Sequence, residues 1–151
     1  LVLGGFIFGW AKPVPVTVEN LRQPRRDMAL VALAGPGANL LMALLWAVIA
    51  KIGILLGPGM EWLGTPLMLM GIIGITFNLI LMVLNLLPIL PLDGGRVLES
   101  LLPGPLSYKF SRLEPYGFMI LLVLLISGLL PKLLGPPIQL LEKIIFQIFG
   151  L

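Results

Sequence analysis

Long uncharged apolar stretches alternate along this chain with short segments rich in proline, glycine and charge. A membrane crossing needs roughly 20 consecutive apolar residues in a helix. Residues 28–50 contain no charge and are followed by Lys51, whose long side chain can snorkel to the interface. Residues 62–92 are likewise uncharged, more than one crossing requires, so the pattern predicts a helix over 63–87 and then irregular chain. A third span is expected over 116–131. The tail, 138–151, carries Glu142 and Lys143 together, and its apolar residues 138, 141, 144, 145 and 148 share one helical face. An interfacial helix and a weak last span fit it equally. Near the other end, Trp10-Ala11-Lys12-Pro13-Val14-Pro15-Val16-Thr17-Val18 has prolines two apart and β-branched residues after them, which a regular helix does not accept. A short extended interfacial stretch is expected near residues 10–18. The predicted fold is all-α: a polytopic transmembrane helix bundle, one membrane domain over 1–151.

Composition agrees with this pattern. Apolar residues make up 58% of the chain and charged residues 11%, with a mean hydropathy of +1.07; soluble domains carry about 25% charged residues. Lipid must therefore be much of the solvent. The net charge of +3 could suggest nucleic acid, but the basic residues sit beside apolar spans, where they contact anionic lipid and set topology. Lys12, Arg22, Arg25 and Arg26 precede the first span; Arg96, Lys109 and Arg112 follow the second; residues 57–61 between the spans have no Lys or Arg. The positive-inside bias puts 11–27 and 93–114 in the cytoplasm. The absence of cysteine excludes disulfides and thiolate metal sites, and there is no histidine either. The chain opens at Leu1 inside an apolar run with no basic region before it, so it is expected to be part of a longer protein.

Three polar features remain after lipid solvation is accounted for. Gly35-Pro36-Gly37-Ala38-Asn39 places a kink, two glycines and an amide inside the first span. Gly35 and Pro36 read as close helix packing, with Asn39 as an interhelical hydrogen-bonding group. In the second span Gly71, Gly74, Asn78 and Asn85 fall on one helical face, which must turn inward, because an amide in hydrocarbon lacks partners. Asn78 reads as helix glue. The third feature is Asn85-Leu86-Leu87-Pro88-Ile89-Leu90-Pro91-Leu92-Asp93-Gly94-Gly95. Pro88 and Pro91 break the helix. Asp93 then lies near membrane depth, where a charged carboxylate costs roughly 2.5–3.5 kcal/mol on insertion scales and demands a partner. Asp-Gly-Gly is also good turn chemistry, and Asp93 could N-cap a following helix. The whole string, however, would match by chance on the order of 10⁻⁹ per position at ordinary residue frequencies.

With these residues the chain resembles the site-2 protease family of intramembrane zinc metalloproteases. Residues 85–95 are similar to the family's N-x-x-P-x-x-P-L-D-G-G motif, with every fixed position filled. Gly9-Trp10-Ala11-Lys12-Pro13-Val14-Pro15 is similar to its G-W-A-K-P-V-P stretch. Arg25-Arg26-Asp27 and residues 34–39 resemble its basic stretch and G-P-x-A-N segment, and Leu113-Glu114-Pro115-Tyr116-Gly117-Phe118 matches small bacterial members. The resemblance implies that Asp93 is a ligand to one zinc ion, whose other ligands come from an H-E-x-x-H helix. It implies that Asn85 orients substrate or oxyanion, with Asn39, Asn78, Pro88, Pro91, Gly94 and Gly95 binding substrate or supporting the site. A transmembrane protein substrate, the lipid bilayer as surroundings and a prokaryotic cell-membrane location follow from the same resemblance; no nucleic-acid partner is expected.

The departure is the missing histidine. A catalytic zinc takes three protein ligands and keeps a fourth position for water, so one carboxylate does not suffice. The expectation is that H-E-x-x-H lies upstream of residue 1, and that the complete protein cleaves transmembrane substrates while these 151 residues alone do not. Two rivals stand beside this. A non-catalytic scaffold of the same fold would keep Asp93 only as a cap. An ion- or proton-coupled transporter predicts a second intramembrane carboxylate or an inverted repeat, and the sequence pattern suggests neither.

Overall fold

The computed structural model describes residues 24–151. The extended stretch expected near residues 10–18 lies outside them. Six helices follow in order, and there is no strand among the described residues: α1 (Pro24–Leu55), α2 (Glu61–Asn85), α3 (Asp93–Leu101), α4 (Gly104–Ser111), α5 (Glu114–Ile126) and α6 (Leu129–Phe149).

The first two helices form an antiparallel hairpin. The described part of helix α1 opens at Pro24, with Asp27 close to that end. Its 32 residues make it about 48 Å long, against about 30 Å of hydrocarbon. The helix therefore runs beyond the predicted 28–50 at both ends and carries Arg26 and Lys51 with it. The chain turns at Gly57 (φ 66°) and Gly59 (φ 97°), which take conformations that L side chains avoid. Helix α2 returns through 25 residues. By length and composition α1 and α2 can each cross a membrane.

Small residues set the hairpin's spacing. Ala43, Ala47 and Ala50 are fully buried on α1. A Cβ placed on Gly53 would stand 2.6 Å from the Gly64 carbonyl oxygen, and one on Gly64 would stand 2.7 Å from that of Gly53. Gly71 faces the backbone of Ala50, and Gly74 faces the Trp46 ring. Between helices in lipid, association rests on this kind of close approach. The face predicted to turn inward on α2 does so, toward α1.

The remaining helices depart from the simple span count. One continuous helix over 116–131 is not formed: α5 stops at Ile126, and Gly128 adopts the left-handed conformation (φ 71°) that turns the chain. Pro131 falls in the first turn of α6, where a missing N–H leaves no helical bond unmade. Helices α5 and α6 meet at 84° and qualify as a crossing only as a bent pair. Helix α6 then lies along the hairpin. Leu130 and Leu134 pack with Val83 and Leu87 near the end of α2, and Ile145 packs with Ala43, Ala47, Ile75 and Leu79. Its C-terminal Gly150 accepts a 3.0 Å hydrogen bond from the Lys51 ammonium, a cation at a helix C-terminus. At about 31 Å, α6 thus follows the second half of α2, from Leu87 back to Ile75.

Large apolar side chains are exposed around the outside: Trp62 is 75% exposed, Phe118 70% and Ile126 78%. A water-facing surface does not tolerate so much contiguous apolar area. The bundle presents it to lipid.

Candidate functional site

The site begins where α2 ends. The Leu86 N–H still bonds the Met82 carbonyl at 3.0 Å, but Pro88 and Pro91 have no N–H to continue the ladder. The backbone satisfies itself through short turns instead: Leu87 N–H to Leu84 O at 3.1 Å, Ile89 N–H to Leu87 O at 2.8 Å and Leu92 N–H to Ile89 O at 2.9 Å. The Leu90–Pro91 peptide is cis. Leu87 and Leu90 are buried while Pro88 and Pro91 are exposed, so alternate anchors hold the segment against the bundle.

Helix α3 starts immediately at Asp93, and its first turn is pressed onto that segment. A Cβ on Gly95 would stand 2.6 Å from the Ile89 carbonyl carbon and the Leu90 nitrogen; one on Gly94 would overlap the Leu86 carbonyl. From the other side Gly117 of α5 meets the Leu90 carbonyl. Neither Gly94 nor Gly95 has positive φ. The turn chemistry that Asp-Gly-Gly suggests is therefore not what these glycines supply. They supply room for backbone to touch backbone. Nor does Asp93 act as an N-cap: the N-cap is Leu92, and no side chain caps the helix.

The half-buried Asp93 carboxylate comes to rest against α1. A Cβ on Gly35 would stand 2.6 Å from its Oδ2 and 3.5 Å from its Cγ. The Gly35-Pro36 segment thus meets the aspartate motif directly, where the sequence suggested ordinary helix packing. Asn85, at the last residue of α2, and Asn39, one turn beyond Gly35, are half-buried. Asn78 is buried, and its amide donates to the Gly74 carbonyl of its own helix at 2.8 Å. It is not an interhelical clasp. Seven residues from Asn85, it stands about 10 Å further along α2 and supports the helix rather than the site.

One polar contact escaped the sequence reading. The Thr76 hydroxyl of α2 donates to Glu142 Oε1 of α6 at 2.5 Å. A second, half-buried carboxylate is therefore held between α2 and α6, about 13 Å of helical rise from Asn85. The available signal was position: residue 142 adjoins 138, 141 and 145, all of which pack on the core.

A metal finds little here on its own. Among the described residues no three His, Cys, Asp or Glu side chains cluster, and the whole chain has neither His nor Cys. Asp93 offers a carboxylate oxygen of the right kind, one donor where a catalytic zinc needs three. These residues can contribute to a zinc site but do not make one.

Comparison with known proteins adds to this geometry. The model of peptidase family M50 matches residues 51–127. YwhC of Bacillus subtilis is 37% identical over 146 residues, which cover 95% of this chain and 66% of the relative. Rip2 of Mycolicibacterium smegmatis is 34% identical over 107 residues, covering 71% of this chain and 39% of the relative. Both are provisionally named zinc metalloproteases. The chain thus spans just under two thirds of one relative's length and about two fifths of the other's. No solved structure matches it significantly.

Proposed function

This chain belongs to peptidase family M50, the site-2 protease family, and from that premise we propose that it forms part of an intramembrane zinc metalloendopeptidase that cuts transmembrane protein substrates. The observation that carries the proposal is the placement of Asp93. It follows a proline-broken transmembrane helix, heads α3, and is backed by Gly35 of the first span. An intramembrane acid calls for a cationic partner, and both relatives are provisionally named zinc metalloproteases. Bound zinc would supply an activated water near neutral pH.

In this reading Asp93 provides one ligand, and the two histidines and the glutamate of H-E-x-x-H come from outside these 151 residues. The chain by itself then does not cut. Asn85, at the end of α2, orients substrate backbone, while Gly94, Gly95 and the two prolines fix where Asp93 stands. The protein sits in a prokaryotic cell membrane with 11–27 and 93–114 on the cytoplasmic side, the arrangement that the basic residues favour. An ion-coupled carrier is the competing reading, and Glu142 beside Thr76 is the observation in its favour.

The test is the complete protein in proteoliposomes with a single-span substrate. Cleavage within or beside the span is expected, abolished by a zinc chelator and by Asp93→Ala. Full cleavage by Asp93→Ala, or ion transport without cleavage, would overturn the proposal.

A further inference from the structure

We propose that Gly35 is a positioning residue for Asp93, the space of its missing side chain being the seat that fixes the carboxylate. The inference rests on the reading of Asp93 as a ligand. Its geometry is independent of that reading.

The glycines of this bundle fall into separate classes. At Gly53 and Gly71 an added Cβ would strike backbone of the neighbouring helix, within 2.6–2.7 Å, so those glycines serve helix approach. At Gly37 it would meet nothing within 4 Å. At Gly35 the atoms it would meet are Oδ2 and Cγ of Asp93, at 2.6 and 3.5 Å, with no backbone of another helix in reach among the described residues. A glycine inside a helix is less favourable than alanine, and helix packing does not require one here. What requires it is the carboxylate. The contact is also one-sided: Oδ2 lies against the Gly35 position while Oδ1 is beyond 4 Å of it. Of the two oxygens, only Oδ2 is backed by Gly35.

A methyl at position 35 can be accommodated only by turning or displacing the Asp93 side chain, because the atom in its way is the end of that side chain. The cost to the fold is small: helix propensity rises, offset by the new Cβ meeting the ring of Pro36, since a residue before proline is disfavoured in the helical region. An ordinary packing residue would behave in the opposite way, losing stability before function.

The experiment uses the complete protein and the variants Gly35→Ala, Gly37→Ala and Asp93→Ala. Zinc retention is measured by competition with a chelator, the ligand field by the absorption spectrum of the cobalt-substituted protein, and stability by thermal melting in detergent. Groups that orient a metal ligand typically change metal affinity by about 10–100-fold. Gly35→Ala is expected to weaken zinc retention at least about tenfold and alter the cobalt spectrum, while melting within a few degrees of the parent. Gly37→Ala should match the parent in all three. Unchanged retention and spectrum in Gly35→Ala would overturn the proposal, as would a loss of zinc accompanied by a large drop in melting temperature. Parental zinc retention in Asp93→Ala would instead sink the ligand assignment beneath it. The seat itself is judged without metal in this cysteine-free chain. Gly35→Cys with Asp93→Cys should cross-link on mild oxidation, and Gly37→Cys with Asp93→Cys should not. Absence of the first cross-link would overturn the seat.

Discussion

Replacing Gly95 by alanine inserts one methyl group between two pieces of backbone that already touch. The new carbon would stand 2.6 Å from the Ile89 carbonyl carbon and the Leu90 nitrogen and 2.7 Å from the Ile89 oxygen. Ordinary contact begins near 3.4 Å, so α3 must withdraw by about 0.8 Å, the difference between 3.4 and 2.6 Å. None of the three atoms can rotate aside. They belong to a segment pinned by two prolines and by the buried Leu87 and Leu90. Overpacking of this kind costs about 1–3 kcal/mol, and alanine's better helix propensity returns about 1 kcal/mol, leaving a net loss of roughly 0–2 kcal/mol. The effect on the site is larger in proportion. Asp93 is two residues away in the same turn, and a misplacement near 1 Å can lower a rate about 10²-fold. Substrate cleavage by the complete Gly95→Ala protein should fall by about that factor, with only a modest drop in its melting temperature in detergent. Gly95→Asn separates room from turn chemistry. Asparagine tolerates the left-handed conformation better than alanine does but is larger, so it should be the worse of the two. If Gly95→Asn matched or exceeded Gly95→Ala in stability and cleavage, the reasoning would be refuted.

Other changes test the bundle around the site. Gly71→Ala would bring a Cβ within 2.5 Å of the Ala50 Cβ and 2.6 Å of its nitrogen; the hairpin should open and lose roughly 1–2 kcal/mol in a detergent melt, whereas Gly37→Ala should lose nothing. Thr76→Val removes the donor to Glu142. Leaving that carboxylate without its partner should cost about 1–3 kcal/mol, and Thr76→Ser should restore most of it. Lys51→Met leaves the Gly150 carbonyl without its cation, and hydrogen exchange of the amides in the last turn of α6 should quicken, since that turn loses its cap. Unchanged exchange there would show that the contact holds nothing.

The two long crossings were legible because a charge-free run of twenty or more residues has few alternatives to a membrane helix. The same criterion misled at 116–131. Hydropathy does not register Gly128, whose left-handed conformation ends α5 inside an apolar run and starts α6 at a steep angle. The proline-broken end of α2 was legible from Pro88 and Pro91, since their chemistry is local. What Gly94 and Gly95 do was not, because a glycine kept for room and a glycine kept for a turn look alike in sequence. The contact between Gly35 and Asp93 joins residues far apart along the chain, and periodicity carries no information about such pairs. Glu142 was hidden for a related reason: whether a charged residue on a tail faces lipid headgroups or a neighbouring helix depends on where the tail docks.

The zinc content of the purified complete protein bears most directly on the account. One zinc per chain is expected in the parent, with Asp93→Ala retaining less than about a tenth of it under mild chelation, since removing one of three ligands leaves an incomplete site. Parental zinc content in Asp93→Ala, or none in the parent itself, would contradict the role given to this residue.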